Sequence, residues 1–131
     1  MGDQKLPRPT DKELEILRVL WQHGPGTVRE VLKVLNHEKG ATVGYTTALK
    51  MLQIMNDKGL VDRDETNRPQ IYRARLAQEH TQRQLVNDLL DRAFGGSAKE
   101  LVMHALGATE ISDEDLGRVE RLLDRIEGAR K

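Results

Sequence analysis

The sequence predicts a mainly α-helical fold with one small β-hairpin, and three observations predict it. Apolar residues recur at helical spacing in six separate runs. Threonine or serine stands three residues ahead of a glutamate at the head of three of those runs. One polar stretch rich in arginine is bracketed by two short apolar, β-forming pairs.

The first helix is expected to start at Asp11, because Thr10-Asp11-Lys12-Glu13 has the spacing in which the threonine caps the third amide and the glutamate reaches back. Leu14, Ile16, Leu17, Leu20 and Trp21 form its apolar side, and Gly24-Pro25-Gly26 stops it. Thr27-Val28-Arg29-Glu30 repeats the cap at once, so a second helix with Val28, Val31, Leu32 and Leu35 runs to about Asn36 and packs steeply on the first. Thr42-Val43 is expected as a short strand. Ala48, Met51, Leu52 and Met55 then mark a third helix over Tyr45 to Lys58, closed by Gly59. Leu60-Val61 and Ile71-Tyr72 bracket Asp62 to Gln70, with Asn67 and Pro69 at the bend of a hairpin. Three short helices followed directly by such a hairpin are the order of a winged helix-turn-helix domain, assigned here to residues 1–77.

Residues 78–131 read as helical throughout. Leu85, Val86, Leu89, Leu90, Ala93 and Phe94 share one face before Gly95-Gly96 breaks the run. Ser97-Ala98-Lys99-Glu100 caps a segment with Leu101, Val102, Ala105 and Leu106. Ser112 caps a last helix with Leu116, Val119, Leu122, Leu123 and Ile126. These 54 residues bury too little area to be stable alone, so their leucine faces are expected to pack on a second copy of the chain. The alternative is packing back onto the first domain.

The 131 residues carry 21 Lys and Arg against 21 Asp and Glu, which excludes a uniformly basic coat for nucleic acid. The charge is nevertheless divided: residues 1–77 hold 13 basic and 10 acidic side chains, and residues 78–131 hold 8 and 11. That polarity fits a binding half and a partner half. Without cysteine there is no disulfide, thiolate metal site or cysteine nucleophile. No apolar run approaches the roughly 20 residues of a membrane span, and the start has no signal-peptide core. A cytoplasmic protein without membrane insertion is expected.

On the third helix Tyr45, Thr46, Thr47, Lys50, Gln53 and Asn56 lie away from the apolar stripe. The first turns of such a helix meet base edges in the major groove, where lysine suits guanine, glutamine suits adenine and a threonine methyl suits thymine. A solvated helix face is the plainer reading of the same residues. In the hairpin Arg63, Arg68, Arg73 and Arg75 are candidates for phosphates or a minor groove, with Arg68 at the tip, although charges on a hairpin edge also guard against aggregation. His23, His37, His80 and His104 fall in no metal-ligand spacing, and no phosphate-binding loop or nucleophile elbow is present. No catalysis, metal or cofactor is expected. Asp113, Glu114 and Asp115 fit the positive end of the last helix.

The stretch Thr10 to Leu17, then Leu20-Trp21, Thr27 to Val31, Gly44-Tyr45-Thr46-Thr47 and Lys58-Gly59-Leu60-Val61, resembles the penicillinase-repressor family of the BlaI, MecI and CopY type. Phe94-Gly95-Gly96-Ser97 with Lys99 to Val102 resembles that family's dimerisation region, so the likeness spans roughly residues 8 to 127. The resemblance implies a homodimeric repressor whose two winged helices hold a dyad-symmetric operator in double-stranded DNA. By position, Thr46, Thr47, Leu49 and Lys50 fall where relatives read bases. In β-lactam-responsive members a membrane sensor triggers proteolysis at an Asn-Phe bond after the Gly-Gly break, and the corresponding pair here is His104-Ala105. Copper-responsive members use a cysteine motif that this chain lacks. Two other readings stand beside repression: a winged-helix module that docks proteins without reading bases, and a metal or pH sensor working through histidines.

Overall fold

The structure, a computed structural model, describes residues 8–39 and 42–129. Among these are α1 (Asp11–His23), α2 (Val28–Lys39), α3 (Tyr45–Lys58), β1 (Val61–Asp64), β2 (Ile71–Ala74), α4 (Gln78–Ala93), α5 (Ala98–Gly107) and α6 (Asp113–Ala129). The chain divides into two units between Gln82 and Arg83. The first turn of α4 belongs to the first unit, where Thr81 is buried.

Both expected capping boxes of the first unit close. Thr10 N donates to Glu13 Oε1 at 2.9 Å while Glu13 N donates to Thr10 Oγ1 at 3.2 Å. Thr27 and Glu30 repeat the exchange at 2.8 and 3.2 Å. Each box satisfies amides that have no partner inside the helix, which is worth about 1 kcal/mol per cap. Gly24 ends α1 at φ +85°, a conformation a side chain would strain. The helix α2 continues three residues past the expected end at Asn36, since His37, Glu38 and Lys39 carry no helix breaker.

The buried core combines Ile16, Leu17, Val19 and Leu20 of α1, Val28, Val31 and Leu35 of α2, and Ala48, Leu52 and Met55 of α3. Leu60, Val61 and Tyr72 extend it under the sheet. In the antiparallel hairpin Val61 pairs with Ala74 and Arg63 with Tyr72. Val61 and Tyr72 therefore point inward while Asp62 and Arg73 face out, the period of two that a half-buried strand imposes. The indole N–H of Trp21 donates to the Leu76 carbonyl at 2.9 Å, fastening α1 to the chain leaving the hairpin.

The strand expected at Thr42-Val43 does not form. The Asn36 side chain occupies both backbone groups of Val43: Val43 N donates to Asn36 Oδ1 at 2.7 Å, and Asn36 Nδ2 donates to the Val43 carbonyl at 3.2 Å. With those groups satisfied, Val43 needs no neighbouring strand. The third rung of the sheet comes instead from Gly26, whose N–H and carbonyl bond reciprocally to Tyr72 at 3.0 and 2.8 Å.

In the second unit α5 and α6 pack together, and Lys99 Nζ bridges Asp124 Oδ1 at 2.6 Å and Glu120 Oε2 at 3.6 Å. The hydrogen bond to Asp124 leads the causes that raise the Lys99 ammonium above the ordinary lysine value. Ser97 and Ser112 cap α5 and α6 through their hydroxyls. The Ser97 cap is one-sided, because its own N–H donates to the Phe94 carbonyl at 2.9 Å and not to Glu100. From Arg83 onward no described residue is buried. Among its described residues the second unit has helices but no interior.

Candidate nucleic-acid interface

The third helix presents its polar side outward because its inner positions are spent on the core. Ala48, Leu52 and Met55 are fully buried, so Thr46, Thr47, Lys50 and Gln53 are turned to the surface, and all four are exposed. Tyr45, at the first residue of the helix, is 41% exposed. Asn56 is half-buried. Leu49 is also half-buried and packs against the core, beside a recess of about 80 Å³ that it shares with Tyr45 and with Pro69 and Gln70 of the hairpin loop. That recess brings the start of α3 and the wing together.

Sequence reasoning passed over two residues on this surface. Ile54 is 43% exposed, so an apolar group interrupts the polar side of α3. Arg29, on the first turn of α2, places its guanidinium carbon 5.0 Å from the centre of the Tyr45 ring. The exposure of Ile54 follows from helical period once Leu52 and Met55 are known to face in. The approach of Arg29 to Tyr45 depends on how α2 crosses α3, which no local pattern reveals.

The wing loop is shaped by Asp64. Its Oδ1 accepts from the Thr66 hydroxyl at 2.6 Å and from Thr66 N at 2.9 Å, and its Oδ2 accepts from Asn67 Nδ2 at 3.0 Å. The Thr66 hydroxyl is the leading cause that holds the Asp64 carboxyl below its ordinary value. Three hairpin arginines face acids nearby: Arg63 to Glu65 at 3.6 Å, Arg73 to Asp64 at 3.9 Å and Arg75 to Asp62 at 4.0 Å. Arg68 is exposed and makes no ion pair among the described residues. It is the hairpin cation whose charge is least committed.

Elsewhere in the first unit a mainly apolar groove of about 610 Å³ lies between α1 and α2, with His23 and His37 among its lining. Among the described residues no group of three or more His, Asp or Glu is arranged to hold a metal ion. In the second unit Leu85, Phe94, Leu101, Val102, Leu116 and Leu123 are half-buried. Leu89, Leu122 and Ile126 are 45–48% exposed, and Val86 is 44% exposed. His104 and Ala105 are exposed on α5, with the His104 ring 5.6 Å from that of Phe94.

The model of the penicillinase-repressor family matches residues 9–125, which takes in α1 to α5, the wing and most of α6. The chain belongs to the penicillinase-repressor family. It is 24% identical over 128 residues to the penicillinase repressor of Bacillus licheniformis, covering 98% of each chain. A solution structure of the monomeric form of Bacillus licheniformis BlaI with the blaP half-operator is 29% identical, at a TM-score of 0.48, over 57% of this chain and 89% of that one. Membership of this family makes the chain a transcriptional repressor and not an enzyme. The three helices and hairpin of the first unit are its winged helix-turn-helix.

Proposed function

We propose that the chain represses transcription as a homodimer whose two winged-helix units occupy the halves of a dyad-symmetric operator in double-stranded DNA. The observation that carries this reading is the outward side of α3, where Thr46, Thr47, Lys50 and Gln53 are exposed together next to the wing that bears the uncommitted Arg68. Hydroxyl, ammonium and amide groups on one helix face are the chemistry that base edges require. Arg68 supplies charge to the flanking backbone. Leu49, packed toward the core, offers at most an apolar edge to a thymine methyl.

The second unit supports the dimer. Leu89, Leu122 and Ile126 are nearly half exposed, and a helical unit with no buried residue among those described needs another surface to cover it. Two linked half-site contacts bind far more tightly than one, so dissociation of the dimer releases the operator. The exposed His104-Ala105 peptide on α5 is the position at which a membrane sensor-protease pathway would act on this chain. The reading places the repressor in the cytoplasm, with its DNA; among the described residues no helix is long and apolar enough to cross a membrane.

Selection of genomic fragments by the purified chain at near-physiological salt, against random competitor DNA, tests the proposal. Enrichment of a dyad-symmetric sequence is expected. Uniform salt-sensitive retention, or none, overturns sequence-specific repression.

A further inference from the structure

Among the described residues, Arg29 is a cation that α2 places against α3, and it stands where its own helix does not favour it. Arg29 lies on the first turn of α2, beside the positive end of that helix, where an acidic side chain is stabilising and a basic one is not. The neighbouring Glu30 does not neutralise it, since its carboxylate is committed to the Thr27 amide at 2.8 Å. Arg29 is exposed and has no ion pair among the described residues. Its partner is the Tyr45 ring, 5.0 Å from the guanidinium carbon.

A ring face attracts a guanidinium without consuming its N–H donors, so the group is held in place with its hydrogen-bonding capacity unspent. The ring belongs to the first residue of α3, and Gly44 ahead of it offers no side chain to cap the helix amides. We infer that Arg29 is a DNA-backbone contact of this repressor, its guanidinium aimed at a phosphate by the Tyr45 ring, with Tyr45 acting as a positioning residue and not as a base reader. The inference rests on the DNA-binding reading above. It adds a residue from α2 to a surface otherwise drawn from α3 and the wing. A phosphate is the chemistry that fits, because a planar fork of unspent donors suits its oxygens.

The test is the salt dependence of affinity of the full chain for two duplexes, one of random sequence and one recovered by the genomic selection. Arg29→Ala is expected to reduce the slope of log affinity against log salt by about 0.9 on both, with the preference between them unchanged. Tyr45→Ala is expected to weaken binding in the wild-type background and to add nothing in the Arg29→Ala background, while Tyr45→Phe, which keeps the ring, restores wild-type behaviour. Both side chains are exposed, so the melting temperature should stay constant across the series. A steep wild-type slope that Arg29→Ala leaves unchanged overturns the phosphate contact alone. Losses from Arg29→Ala and Tyr45→Ala that simply add overturn the positioning role. A wild-type chain that binds neither duplex removes the DNA-binding reading, and this inference with it.

Discussion

Lys58 Nζ lies 2.7 Å from Glu13 Oε1, and the same carboxylate oxygen accepts the Thr10 N–H at 2.9 Å. One side chain therefore both caps the start of α1 and ties it to the end of α3, 45 residues later. The Glu13 side chain is 8% exposed and that of Lys58 is 35% exposed. Lys58→Met strands a nearly buried carboxylate. The expected loss is about 1–2 kcal/mol, less than the roughly 3–5 kcal/mol of a fully buried pair because water reaches the lysine. Glu13→Gln keeps an acceptor for the cap and should cost less than Lys58→Met; urea unfolding of the two variants checks the order.

The same pair sets a pH dependence. Burial raises the Glu13 carboxyl, but the hydrogen bonds from Lys58 and Thr10 and the lysine charge outweigh it and hold the group below its ordinary value. A lowered carboxyl binds its proton more readily in the unfolded chain. Its stabilising contribution is complete above the ordinary glutamate value and disappears as pH falls through the lowered one. Asp64 is lowered too and acts in the same direction. Unfolding free energy measured from neutral pH downward should fall, and Glu13→Gln should fall less steeply than wild type.

Leu122 and Ile126 lie four residues apart on α6, nearly half exposed. Changing both to glutamate should shift the sedimentation mass from a dimer to a single chain of 14.9 kDa. Operator affinity should drop with it, while the helicity of the first unit remains.

At the wing, Arg68→Ala should lower the salt slope of DNA binding by about 0.9 without altering sequence preference. Arg73→Ala should lower it less, since Asp64 already lies 3.9 Å from that guanidinium. Titrations of both variants on one duplex decide the matter. Equal slopes would remove the distinction drawn between the two arginines.

Asn36→Ala deletes both hydrogen bonds to Val43 and leaves a half-buried peptide unpaired. A loss of about 1–2 kcal/mol is expected, together with faster hydrogen exchange at the Val43 amide.

What the sequence disclosed and what it concealed divide along the same physical line. Thr10 with Glu13, and Thr27 with Glu30, interact across three residues, so the starts of α1 and α2 were legible. The hairpin was legible because the apolar pairs Leu60-Val61 and Ile71-Tyr72 bracket a polar stretch with Asn67 and Pro69 at its bend. Helical period also separated Thr46, Thr47, Lys50 and Gln53 from the core side of α3. Contacts made only after the helices cross were not legible. Glu13 with Lys58, Arg29 with Tyr45 and Gly26 with Tyr72 join residues far apart in the chain. Val43 misled because its β-branched side chain suits a strand, whereas the side chain of Asn36 had already taken its backbone groups.

The reciprocal bonds between Gly26 and Tyr72 anchor the base of the hairpin to the turn between α1 and α2. With its root fixed there, the segment from Glu65 to Gln70 lies outside the packed interior and is only lightly constrained by it. Insertions, deletions and exchanges in that segment should therefore be tolerated while the domain stays folded. Melting temperatures of such variants should stay near that of the parent chain.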